Sequence, residues 1–83
     1  ILRLLTAITK QPRKIASDLG QIVRKRREAL RLSQEQFAEL TGHHRTYIGF
    51  LERGERSPNI ATLQRIAEAL DLNASDLLRE AGY

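Results

Sequence analysis

The run Ser33-Gln34-Glu35-Gln36 followed shortly by Gly42 constrains this chain more than any other feature of it. A serine at a helix start accepts a hydrogen bond from the free N–H three residues on. A glutamine at that third position returns a bond to the serine N–H, so the box fixes where the helix begins. Gly42 supplies the positive φ with which helices commonly end. Between the two signals lies a short helix whose apolar side is Phe37, Ala38 and Leu40. A second helix follows almost at once, from about His44 or Arg45 to Arg53. It ends at Gly54, and its Ile48 and Leu51 face inward.

The rest of the chain repeats this grammar of caps, helical spacing and stops, and no segment alternates like a strand. Ser17 is expected to cap a first helix, with Asp18 in its first turn, where a carboxylate suits the helix dipole. Leu19, Ile22, Val23 and Leu30 recur along it at helical spacing. Arg56-Ser57-Pro58 reads as a loop. Asn59 caps a fourth helix carrying Ile60, Leu63, Ile66, Ala67 and Leu70, and Asn73 with Asp76 caps a short fifth one carrying Leu77 and Leu78. Ahead of these, Ile1, Leu4, Leu5 and Ile8 form one helical face, an extra N-terminal helix or arm. Gln11-Pro12-Arg13-Lys14 reads as a basic linker. The expected organisation is an N-terminal apolar segment and linker over residues 1–16 and an all-α, five-helix domain over residues 17–83.

Composition narrows the function classes. A chain of 83 residues is one domain. It contains no cysteine, which excludes disulfides, thiolate zinc sites and a cysteine nucleophile. No run approaches the roughly 18 to 20 apolar residues that span a bilayer, and Ile1-Leu2-Arg3-Leu4-Leu5 is too short for a signal peptide. The absence of cysteine is compatible with the reducing cytoplasm, the expected place. Net charge is +4, unevenly spread. Residues 1–31 hold nine basic residues against two acidic ones, whereas residues 60–83 hold two against four. A basic end of this kind suits a polyanion.

Two short helices meeting at a glycine-containing turn make a helix-turn-helix, whose first helix crosses the DNA backbone and whose second lies in the major groove. On that second helix Ile48, Leu51 and Glu52 share one side, and Thr46, Gly49, Phe50 and Arg53 share the other. Arg45 stands at the amino end, where side chains reach base edges. A guanidinium fits the N7 and O6 acceptors of guanine bidentately, and threonine offers a hydroxyl and a methyl to several bases. Gly49 weakens the helix by about 1 kcal/mol against alanine. Close approach of the backbone to DNA is one reason to accept that.

From Leu32 to Leu78 the sequence resembles the phage-repressor and Cro type of helix-turn-helix domain, the XRE family, with its lambda-repressor-like fold. The runs His44-Arg45-Thr46-Tyr47-Ile48 and Glu52-Arg53-Gly54-Glu55-Arg56 are especially similar to controller proteins of restriction–modification systems. The resemblance implies sequence-specific binding of double-stranded DNA and transcriptional regulation. It implies base reading by Arg45, Thr46, Tyr47 and Phe50, with Tyr47 also able to meet adjoining phosphates. It implies backbone contacts by Gln34, His44, Arg53 and Arg56, and a structural ion pair between Arg27 and Glu52. The chain departs from the family pattern at His43, usually apolar, at Gly49, usually serine, and at Phe50, where a polar reader is common.

Other chemistry finds little support in the residues. His43 and His44 are adjacent and point about 100° apart on a helix, with no carboxylate at i+3 or i+4, so a metal site is not expected. Ser17, Ser33, Ser57 and Ser75 are accounted for as caps or loop residues, and no glycine-rich phosphate loop is present. The expectation is a non-enzyme with no cofactor and no evident small-molecule effector. A domain of this size reads few base pairs, so a homodimer on a pseudo-palindromic site is expected. Its surface is either the acidic C-terminal end with Leu72, Leu77, Leu78 and Tyr83 or the apolar N-terminal segment. The alternatives are an antitoxin-type domain that also binds a toxin, and a protein-interaction module on the same scaffold.

Overall fold

A computed structural model describes residues 12–83. The stretch carrying Ile1, Leu4, Leu5 and Ile8, and with it the expected N-terminal helix or arm, lies outside the described residues. Among the described residues the chain forms five helices and no strand: α1 Pro12–Ala29, α2 Gln34–Thr41, α3 Arg45–Glu52, α4 Ile60–Ala69 and α5 Ala74–Glu80. The first helix corrects the expected start. It opens at Pro12, so Pro12, Arg13 and Lys14 are helical rather than linker, and the boundary drawn between residues 16 and 17 falls inside it. Proline is well placed in a first turn because its missing N–H would have had no partner there. Ser17 therefore caps nothing. It lies against the end of α3, where a Cβ on Gly54 would come within 2.6 Å of the Ser17 Cα.

The other helix starts follow their caps. The Ser33 hydroxyl accepts from the Gln36 N–H at 3.0 Å, and the Gln36 side-chain oxygen accepts from the Ser33 N–H at 2.8 Å. Asn59 accepts from the Thr62 N–H at 2.8 Å, and the Asp76 carboxylate accepts from the Asn73 N–H at 2.9 Å. The helix ends share one geometry. Each closes with an N–H bonded to the carbonyl five residues back: Leu32 to Arg27, His43 to Ala38, Glu55 to Phe50, Leu72 to Ala67 and Tyr83 to Leu78. In each case the residue before that N–H has positive φ, namely Arg31, Gly42, Gly54, Asp71 and Gly82. This is the bonding of a Schellman end. At Arg31 and Asp71 it is made without glycine, so those two ends carry no sequence signal.

The core is one cluster drawn from all five helices. Leu19 and Val23 of α1 meet Phe37 and Ala38 of α2, Ile48 and Leu51 of α3, Ile66 and Ala67 of α4, and Leu70 and Leu77. The second short helix of the pair, α3, is held between α1 and α2, while α4 packs on α2 and α5, and α5 returns to α1. Three residues expected on apolar faces are exposed instead: Leu30 at 52%, Leu40 at 61% and Ile60 at 85%. Leu30 falls past the last turn of α1. The inward face of α2 is centred on Phe37, Ala38 and Thr41, and at about 100° per residue Leu40 lies well off it. Buried Thr41 bonds its own helix, its hydroxyl 3.1 Å from the Phe37 carbonyl. Ile60 is the first residue of α4 and projects beyond the core. Leu77, expected at a dimer surface, is fully buried in the core, and Leu72 and Leu78 pack against its edge.

The α1–α3 contact is backbone to backbone. A Cβ on Gly20 would stand 2.3 Å from the Leu51 carbonyl oxygen and 2.6 Å from that of Glu52. Neither oxygen belongs to a flexible side chain, so the helices themselves would have to part. Gly20→Ala is expected to cost about 3 kcal/mol and to lower the melting temperature by more than about 10 °C. A thermal melt within a degree or two of wild type would show that α1 and α3 are not in this contact.

Candidate nucleic-acid interface

The orientation of α3 is set from behind by a buried carboxylate. Glu52 accepts from Arg27 Nε at 2.7 Å and Nη2 at 3.1 Å, and from Gln34 Nε2 at 3.1 Å. Both ionic side chains are nearly inaccessible, 9% for Arg27 and 3% for Glu52. Arg27 also donates through Nη1 to the Leu32 carbonyl at 2.7 Å, which ties down the loop between α1 and α2. The bond to Glu52 holds the Arg27 guanidinium pKa above its ordinary value, against the opposing effect of burial. One side-chain network thus joins α1, the α1–α2 loop, the first residue of α2 and the last of α3.

In front, α3 opens with a histidine cap. His44 is extended, and its Nδ1 accepts from the Thr46 N–H at 3.1 Å. That bond leaves Nε2 as the ring's N–H donor. Arg45 and Thr46, the first two helical residues, are exposed. The Arg45 guanidinium lies 3.3 Å from a carboxylate oxygen of Glu35 at the start of α2. Tyr47 is half-buried. Its ring stacks on His43 with centroids 4.9 Å apart, and burial pushes its phenol pKa up, with Arg56 opposing. His43 serves the turn as a flat plate, and its Nδ1 is buried without a hydrogen-bond partner. One turn further on, Phe50 is half-buried, with the guanidinium carbons of Arg53 and Arg56 at 5.3 and 5.7 Å from its ring centre.

The structure therefore brings Arg45, Thr46, Tyr47, Phe50, Arg53 and Arg56 together with His44 along α3 and the loop after it. Gln34 is different in kind. One proton of its amide is used on Glu52, and the other remains to donate outward. Gly49, expected on the open side, is buried, because the Arg53 side chain folds over it. The basic run in α1 is largely used within the protein: Arg24 pairs with Glu28, Arg26 with Glu80 and Arg27 with Glu52. Sequence reasoning missed Glu35 and Glu55, the carboxylates that hold Arg45 and Arg53. Glu35 and Arg45 stand ten residues apart on different helices, which no periodicity reveals. Among the described residues no cluster of His, Asp and Glu could hold a metal ion, and no helix is long and apolar enough to cross a membrane.

Two short helices joined by a tight glycine turn, the second locked at its carboxyl end, capped at its amino end and lined outward with arginine and polar groups, have the arrangement of a helix-turn-helix domain. The family comparisons agree. The helix-turn-helix family model HTH_3 matches residues 23–77. Control protein C.SmaI of Serratia marcescens is 47% identical over 64 residues, which are 77% of this chain and 76% of that protein. Control protein C.BamHI of Bacillus amyloliquefaciens is 40% identical over 60 residues, 71% of this chain and 74% of that protein. The crystal structure of the restriction–modification controller protein C.AhdI of Aeromonas hydrophila superposes with a TM-score of 0.72 at 39% identity, over 75% of this chain and 94% of that one. The chain belongs to the HTH_3 helix-turn-helix family and is a DNA-binding transcriptional regulator.

Removing one member of a buried pair leaves the other charge uncompensated. Arg27→Met is expected to cost about 3–5 kcal/mol in urea denaturation, and Arg27→Met with Glu52→Leu to recover most of that. A single variant that lost less than about 1 kcal/mol would mean that water reaches Glu52.

Proposed function

We propose that α3 lies in the major groove of double-stranded DNA with its amino end at the base edges. In this reading Arg45 and Thr46 read bases, and Tyr47 reaches a base or an adjoining phosphate through its neutral hydroxyl. Phe50 lies at the same surface, and Gln34, His44, Arg53 and Arg56 contact the backbone. The observation that carries the reading is the position of Arg45. It is the first residue of a helix whose other side is buried, and its side chain is 64% exposed, held only by an equally exposed carboxylate. Exposed pairs of this kind are worth about 0–1 kcal/mol, so guanine can replace Glu35 at little cost.

The protein acts as a homodimer on a pseudo-palindromic operator, as a regulator of the controller type. Half-site geometry supports this, because one recognition helix covers too few base pairs for useful discrimination. Exposed Ile60 and the rim of Leu72 and Leu78 offer apolar surface for a second copy. Its place is the prokaryotic cytoplasm, and it needs no catalytic group or cofactor for this work.

Duplexes selected by the protein from a random pool test the reading. Arg45→Ala is expected to lose about 1–3 kcal/mol on the selected duplex and to relax preference at one base position. Binding by the wild-type protein is expected to weaken steeply as salt rises, through release of counterions from phosphates. Equal loss on selected and random duplexes would make Arg45 a phosphate contact. A flat salt dependence would favour the toxin-binding or protein-interaction alternatives over DNA reading.

A further inference from the structure

Arg53 and Arg56 share one aromatic ring. The Arg53 guanidinium carbon lies 5.3 Å and that of Arg56 5.7 Å from the centre of Phe50, within the range in which a cation is attracted to a ring face. Arg53 is held in two further ways. Its Nε and Nη2 donate to the two carboxylate oxygens of Glu55, each at 3.2 Å. Its Nη1 lies over Gly49, where a Cβ would stand 3.1 Å away. Its own side chain stays 56% exposed, so the outer N–H groups remain available. Gly49 and Phe50, the two residues of α3 that depart from the family pattern, therefore belong to one arrangement. The small residue lets a guanidinium lie down on the helix, and the ring beside it keeps that guanidinium and its neighbour in place.

We propose that Phe50 is a positioning residue rather than a base reader: with Gly49 it forms a seat that presents Arg53 and Arg56 as a preset pair to the DNA phosphates. This rests on the DNA-reading function proposed above. Long arginine side chains lose rotamer freedom when they bind, and a seat that orders them beforehand lowers that loss. The seat confers no sequence preference of its own, because phosphate contacts position the protein without specifying bases.

The test compares three variants on two probes, a duplex selected by the wild-type protein and a random-sequence duplex of equal length, with binding measured over a range of salt. Phe50→Leu keeps an apolar side chain and removes the ring. It is expected to weaken binding to both probes alike, by roughly fivefold to twentyfold, and to reduce the slope of log affinity against log salt by about one to two. Phe50→Tyr restores the ring and is expected to restore most of the slope. Gly49→Ala is expected to raise the melting temperature, because alanine favours helix over glycine, and yet to weaken binding on both probes by displacing Arg53. Opposite movement of stability and affinity separates a lost seat from a damaged fold. The proposal is overturned if Phe50→Leu loses affinity on the selected duplex alone and uracil in place of thymine reproduces that loss, which is the behaviour of a base reader. It is also overturned if Phe50→Leu and Gly49→Ala both bind as wild type. If the wild-type protein itself shows no salt dependence, the DNA-reading function has failed and not the seat alone.

Discussion

The carboxylate of Glu52 is the point on which the arrangement depends. It ends α3, yet its partners come from α1 and α2, so a single buried charge fixes where three helices stand relative to one another. A buried ion pair is a poor source of net stability, because desolvating both charges offsets much of their attraction. What it supplies is direction. An apolar contact between α1 and α3 would tolerate rotation of α3 about its axis, whereas two bonds from one planar guanidinium define an angle. Gly20 adds the distance: with no side chain at that position α1 settles directly on the carbonyls of Leu51 and Glu52. Distance and angle together determine which residues of α3 face outward, and so which residues can meet DNA.

Much of this was legible in the sequence, and the limits have physical causes. The capping boxes and glycine stops placed α2 and α3 to within a residue or so, because those signals are local and act through the backbone. Several apolar positions of the core within helices were legible, as with Val23, Phe37, Ile48 and Ile66, whereas Leu40 lies off the inward face of α2. Leu30 and Ile60 were misjudged because they sit at helix ends, where helical periodicity no longer reports direction. The start of α1 was missed for a related reason. Proline signals the end of a preceding helix and the start of a following one equally well, and Pro12 has apolar segments on both sides. Gly20 gave no signal at all, since its role lies in the chain that approaches it. The Schellman ends at Arg31 and Asp71 were silent because the bonds that make them are backbone bonds, made there without the usual glycine.

The outward surface shows a different economy of charge from the one composition suggests. Within the basic run of α1, Arg27 is committed to the buried Glu52, and Arg24 and Arg26 rest on Glu28 and Glu80. In the proposed reading the cations that meet DNA lie along α3 and its following loop. Two of them, Arg45 and Arg53, rest on the exposed carboxylates Glu35 and Glu55. Such pairs hold a side chain in a definite place without holding it tightly. A phosphate or a guanine edge offers the same acceptor geometry in a less hydrated setting, and the guanidinium can exchange one for the other without refolding its side chain.

The two ends of α3 are therefore organised for different tasks by the same residue type. At the amino end Arg45 stands beside a cap with one exposed carboxylate as its partner, and in the proposed reading its discrimination comes from direct hydrogen bonds to a base edge. At the carboxyl end Arg53 and Arg56 are gathered on a ring and above a glycine, an arrangement with one geometry for every sequence. In the proposed reading such a helix gains register from the end that cannot choose and specificity from the end that can. Exchanging the two environments would leave the composition, the net charge and the fold unchanged. It would also place the guanidinium with more contacts at the bases and the one with fewer at the backbone, the reverse of the proposed arrangement.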